Sequence, residues 1–171
     1  MLILCRLPQE FTPPGGTDMS DEAIQEFWPY EGTLCYGCGK NNEHGLQLKS
    51  YWDDEETIAV WKPKAHHMAF PGILNGGIIA TIIDCHGTGT ANAAAHKAEG
   101  SDENHFMYVT SGLSIRFLKP TPIDKPVTLR ARVTKIDGPK MTVTCTLYSA
   151  DEKCATGEVY TVRVSQDAFL G

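Results

Sequence analysis

The segment from Ile78 to Ala95 runs for helical length without a proline and holds a single carboxylate, Asp84, among isoleucines, alanines, glycines and threonines. A helix this apolar must be covered on most of its sides. The Gly76-Gly77 pair at its start lets a ligand approach the backbone closely, and the first N–H groups of a helix have no partner within it. Such an opening is suited to hold an oxyanion.

The sequence around this helix reads as strands. Leu46 and Leu48 alternate with Gln47 and Lys49, and Asp53-Asp54-Glu55 turns the chain into Thr57 to Trp61, predicting a hairpin. A loop from Lys62 to Leu74 leads to the helix. After it, 106–118, 127–136, 141–148 and 154–164 are rich in Val, Thr, Tyr and Ile and are separated by Pro-, Gly- or Asp-containing stretches. In the second of these, Val127, Leu129, Ala131 and Val133 form one apolar face, as an antiparallel sheet with one wet face requires. The expected order is a hairpin, one helix, then a four-strand meander: an α+β domain whose curved sheet wraps the helix. Ser20 to Trp28 predicts a short amphipathic helix stopped by Pro29. Residues 1–19, with Pro13-Pro14-Gly15-Gly16, lack apolar periodicity and read as a flexible tail ahead of a single domain over 20–171.

With 171 residues and 42% hydrophobic content the chain can bury one core. A formal charge of −6 argues against a nucleic-acid partner. The basic residues Arg116, Lys119, Lys125, Arg130, Arg132 and Lys135 face one acid, Asp124, in that stretch, which reads as a solvated strand face or a clamp for a polyanion. No apolar run approaches the roughly 20 residues of a membrane span. Six scattered cysteines fit reduced thiols and a cytoplasmic setting.

Asp84 follows Gly77 by seven positions, which returns it to nearly the same helix face about 10 Å further along. One carbonyl cannot touch both. Two antiparallel helices across a two-fold axis bring the glycine end of one beside the acid of the other, so an isologous dimer with two shared sites is expected. Ala80, Thr81, Gly87, Thr88 and Ala91 flank Asp84, and small residues permit that approach.

Several pieces together carry a family resemblance: Cys35-Tyr36-Gly37-Cys38-Gly39 with Asn42 and Gly45-Leu46, then Pro71-Gly72-Ile73-Leu74-Asn75-Gly76-Gly77, Asp84, and Thr110 ten residues before Pro120. Over most of residues 33–164 the chain resembles hot-dog-fold acyl-CoA thioesterases of the phenylacetyl-CoA-thioesterase-like (PaaI-like) group, within the 4-hydroxybenzoyl-CoA thioesterase superfamily. The resemblance implies hydrolysis of an acyl-CoA without metal or organic cofactor, in a homodimer or a tetramer of paired dimers. It implies that Gly77 N–H polarises the thioester carbonyl, that Asp84 of the other subunit is base or nucleophile, and that Thr110 helps place water. Asn75 stands where the family usually has histidine, and an amide can donate a hydrogen bond but cannot carry charge. A non-hydrolytic acyl-CoA binder is therefore the alternative. A hydratase is disfavoured because no His and acid pair reads as a helix-borne site.

Gly76 and His67, which matches a histidine common in the family, join Arg116 and Lys119 as candidate substrate contacts, the last two through CoA phosphates. Thr110 needs a condition. Met107, Val109, Leu113, Ile115 and Phe117 read as one strand face, so Thr110 falls on the other unless a bulge near Ser111-Gly112 shifts the phase. Cys35-x-x-Cys38 lacks a second cysteine pair in sequence, and a tight glycine-rich turn is expected there rather than a metal site.

Overall fold

The computed structural model describes residues 22–28, 33–99 and 106–165. The expected tail, residues 1–19, lies outside them. Six strands, β1 (Tyr51–Asp53), β2 (Glu56–Trp61), β3 (Phe106–Phe117), β4 (Val127–Asp137), β5 (Lys140–Ser149) and β6 (Glu152–Ser165), accompany one long helix, α1 (Gly76–Glu99). The strands form one antiparallel sheet in the order β1-β2-β4-β5-β6-β3. The helix lies on this sheet, touching β2 to β6.

The four-strand meander is corrected by this order. Only β4, β5 and β6 follow one another across the sheet, while β3 sits at the edge against β6 and β4 pairs with β2. A hairpin between β3 and β4 needs a tight turn, and Pro120, Pro122 and Pro126 preclude one. That connection instead bonds to the loop ahead of α1, with Leu74 N–H on Thr121 O at 2.9 Å and Ile123 N–H on Gly72 O at 3.0 Å. It thereby hands the chain across to β2.

The β1–β2 hairpin forms as expected, with Asp54 at a positive φ of 60° in its turn. Leu46 and Leu48 are buried, yet their N–H groups bond Tyr36 O and Gly37 O instead of a strand ladder, at 2.7 and 2.9 Å. The alternation arises from the cysteine-containing loop. Of the expected N-terminal helix, the described part is a 3₁₀ turn, Ile24–Phe27, docked by Ile24 N–H on Ser50 O and by the buried Gln25 side chain on Ser50.

Helix and sheet interlock through two glycines. A Cβ at Gly87 on α1 would lie 2.4 Å from Val159 Cγ2 and 2.8 Å from its Cβ, and a Cβ at Gly157 on β6 would lie 2.5 Å from Ile83 Cγ2. Each element is bare where the other projects. Gly87 and the fully covered Ala91 therefore face the packed interior, not the Asp84 stripe on which they were expected. Val127, Leu129 and Ala131 of β4 and Val143, Cys145 and Leu147 of β5 complete the core against Ile79, Ile82 and Ile83.

His86 is fully buried between α1 and the sheet. Its Nε2 donates to Thr57 O at 3.2 Å, so its Nδ1 accepts from Ser50 Oγ at 2.8 Å, and burial pushes its pKa down to about 4. The ring is neutral in the fold.

Two predictions follow from this packing. Gly87→Ala destabilises the protein by about 1–3 kcal/mol despite the better helix former, because Val159 is a short, stiff side chain that cannot give way. Gly89→Ala, whose added Cβ meets nothing closer than 3.6 Å, is neutral or stabilises by up to about 1 kcal/mol; urea denaturation of both reads the difference. For His86, the folded state refuses a proton that the unfolded chain accepts below its ordinary pKa of 6.5. Its contribution is full above pH 6.5 and is lost as pH falls toward 4, costing about 2 kcal/mol between pH 7 and pH 5. Denaturation at the two pH values, with His86→Gln flattening the difference, checks it.

Candidate functional site

At the N-terminus of α1 the backbone is fixed by Asn75. Its Oδ1 accepts the N–H of Gly77 at 2.7 Å and that of Ile78 at 3.3 Å, while its carbonyl accepts Ile79 N–H at 3.1 Å. This is an N-cap, with asparagine among the residues best suited to it. The Gly77 N–H expected to polarise a carbonyl is thus already engaged by its neighbour. Gly76 beside it lies next to the Phe117 ring, 3.4 Å from where a Cβ would be, and Phe117 is 56% exposed. An apolar wall therefore borders the glycine opening.

From Gly77 a stripe of α1 that the sheet does not fully cover runs through Ala80, Thr81, Asp84 and Thr88. Thr81 Oγ1 donates to Gly77 O at 2.9 Å. Thr110 Oγ1 donates to Asp84 Oδ1 at 2.7 Å, so the 2.7 Å contact between Thr88 and Thr110 has Thr88 donating. A hydroxyl relay, Thr88 to Thr110 to Asp84, fixes one carboxylate oxygen. Burial pushes the Asp84 pKa up, against the Thr110 hydrogen bond that lowers it, and the Cys35 sulfur adds to the rise.

The bulge that Thr110 requires is present: the β3–β6 register shifts between Thr110 and Gly112. Phe106 and Tyr108 are buried ahead of it, whereas Ile115 packs on the core after it. Thr110 continues the phase of Phe106 and Tyr108 on the helix side, and the inserted residue, Ser111, returns Ile115 to that same side. Arg116, between Ile115 and Phe117, consequently points to the other side of β3 and is not brought to Asp84. Lys119 is ion-paired with Glu152. Arg130 bridges Asp53 and Glu56, and Lys135 reaches Asp137 at 3.7 Å, so half of the basic band already has acidic partners within the chain.

His67 is buried, stacked on Trp61 at 4.9 Å, and its Nδ1 accepts Lys64 N–H at 3.0 Å. Its carbonyl accepts Asn75 N–H at 2.9 Å. It reaches the site through the backbone, by holding the capping residue in place. His86, two positions beyond Asp84, is turned into the core and does not join Asp84 as a pair for hydratase chemistry. Thr88 was read only as a small residue, since nothing in spacing along α1 reveals a hydroxyl partner on β3.

One long helix against a six-stranded antiparallel sheet, with an acid on its open stripe, defines the hot-dog class of domains. The chain belongs to the thioesterase superfamily, whose family model matches residues 71–156. It is 32% identical over 114 residues to the acyl-coenzyme A thioesterase THEM4 of Mus musculus, a match covering 67% of this chain and 45% of that protein. The chain spans about half the length of the curated relatives it matches. Among solved structures it is similar to a thioesterase superfamily protein from Shewanella loihica, with 39% identity, a TM-score of 0.58, and coverage of 72% of this chain and 96% of that one. The PaaI protein of E. coli, at 15% identity and a TM-score of 0.59 over 70% of this chain and 81% of that one, shares the fold. Among the described residues, no helix is long and apolar enough to cross a membrane.

Asn75→Ala lowers stability by about 1 kcal/mol and Asn75→Gly by only a few tenths, as seen in thermal or urea unfolding.

Proposed function

We propose that the protein hydrolyses an acyl-CoA thioester to a carboxylic acid and CoA, with Asp84 as base or nucleophile. The observation that carries this is the fixed carboxylate: half-buried, held by Thr110, and on the same α1 stripe as Gly77. Along one helix the acid and the glycine opening are about 10 Å apart, so a homodimer that sets Asp84 of one subunit beside Gly77 of the other makes the shared site. The thioester carbonyl competes with Asn75 Oδ1 for Gly77 N–H. Turning the Asn75 carboxamide over offers its Nδ2–H as a second donor. A water held by Asp84 loses its proton to the carboxylate and adds to the carbonyl carbon; the C–S bond breaks and CoA departs as the thiol. In the alternative route the carboxylate adds first and water then opens the mixed anhydride.

Arg116 and Lys119 remain the proposed contacts for CoA phosphates, with Gly76 bordering the acyl group and His67 supporting the loop. Free thiols at Cys35, Cys38, Cys85, Cys145 and Cys154 support a reducing, cytoplasmic setting. The net charge of −6 supports no nucleic-acid role. One feature favours the second reading, a non-hydrolytic acyl-CoA binder: Asn75 occupies the donor that hydrolysis needs.

Thiol release from a panel of acyl-CoAs separates the two. The wild type turns over at least one of them and Asp84→Asn loses about 10²- to 10⁴-fold in rate. Equal turnover by both removes Asp84 from the chemistry, and binding without thiol release establishes the binder. A monomer by light scattering at micromolar concentration defeats the shared site.

A further inference from the structure

The cysteine loop does more than turn. It brings the Sγ atoms of Cys35 and Cys38 together with that of Cys85, which neighbours Asp84 on α1, so that all three lie within 4.8 Å of one another and Cys35 and Cys85 are 3.7 Å apart. In sequence Cys35-x-x-Cys38 had no partner pair; the fold supplies a third sulfur 47 positions beyond Cys38. A tetrahedral cation with bonds of about 2.3 Å to sulfur sets its ligands about 3.8 Å apart. Cys35 and Cys85 already have that spacing.

The loop is built around the sulfurs. The Cys38 and Cys85 thiols and the backbone N–H groups of Cys38 and Gly37 converge on Cys35 Sγ. A Cβ at Gly37 would lie 2.3 Å from Cys85 Sγ, and one at Gly39 would strike the Thr33 and Cys35 backbone at 2.3 to 2.5 Å. Glycine at both positions is what allows loop and helix to close on the cluster. Cys35 is part-buried and Cys38 and Cys85 are buried, so the pocket is mostly screened with one side open. A disulfide is the other use of close thiols, but it requires sulfurs about 2.05 Å apart and leaves the third unpaired.

We infer that Cys35, Cys38 and Cys85 form a three-thiolate site for a thiophilic dication, zinc(II), whose fourth position is open to water. Binding releases the thiol protons to solvent and forms three metal–sulfur bonds, with no change in oxidation state. The ion pins the cysteine loop to α1 one residue from Asp84. Its occupancy therefore governs how rigidly that acid is held, whatever reaction the acid serves.

The 171-residue chain, purified and kept reduced, is loaded with zinc, dialysed, and measured for metal per chain; cobalt(II) is then added to metal-free protein. The expected result is about one zinc per chain, a thiolate-to-cobalt charge-transfer band with tetrahedral ligand-field bands, and a higher Tm with zinc. Cys38→Ser and Cys85→Ser weaken zinc binding more than about tenfold, whereas Cys145→Ser, buried elsewhere in the core, leaves it unchanged. Circular dichroism separates misfolding from lost ligation. If a serine variant does not fold, the wild-type cobalt spectrum decides alone. Absence of that spectrum with all thiols reduced overturns the site, as does zinc binding that survives Cys85→Ser. A two-dalton mass loss mapped to a Cys35 disulfide, with no metal retained in reduced protein, assigns the cluster to redox chemistry instead.

Discussion

The interdigitation of α1 with β6 is the contact on which the rest of the structure depends. Val159 fills the space left by Gly87, and Ile83 fills the space left by Gly157. Close-packed interiors tolerate neither a void nor an extra methyl at such a point. Because the helix rests so near the sheet, its rotation is fixed: the isoleucines and His86 turn inward and the Gly77–Asp84–Thr88 stripe turns outward. The glycines that weaken α1 as an isolated helix set its orientation in the fold.

That orientation sets the electrostatics of Asp84. A carboxylate at the margin of an apolar interior is raised in pKa by lost hydration, and a single hydroxyl bond offsets part of this. The relay through Thr88 depends on β3 presenting Thr110 beside Asp84, in phase with the buried Phe106 and Tyr108, while the extra residue Ser111 brings Ile115 back to the same face. One bulge thus joins the edge strand to the helix at the site.

The loops ahead of the helix serve the same end. His67 stacks on Trp61 and holds Asn75 by a backbone bond, and Asn75 caps α1. The cysteine loop is laced to the segment entering β1 by Leu46 and Leu48 and meets α1 at Cys85. The glycine end of the open stripe and the turn of α1 that carries Asp84 are therefore also held by hydrogen bonds and sulfur contacts from these loops.

The helix and its acid were legible from an apolar stretch of helical length without proline, the β1–β2 hairpin from the Asp53-Asp54-Glu55 turn, and the apolar face of β4 from its two-residue alternation, because each is a local feature of the chain. The bulge at Ser111-Gly112 entered only as the condition for Thr110 to face the helix, because the apolar residues Met107, Val109, Leu113, Ile115 and Phe117 by themselves read as one unbroken face, whereas Phe106 and Tyr108 are the buried ones. Strand order was not legible: alternation identifies a face but not the neighbour across a ladder, so β3 and β4 were expected side by side. Nor does sequence show that Gly87 belongs to the packed side of α1, that Asn75 engages Gly77 N–H, or that Cys85 meets Cys35. Those depend on the separation in space of residues far apart in the chain, which only closure of the core fixes.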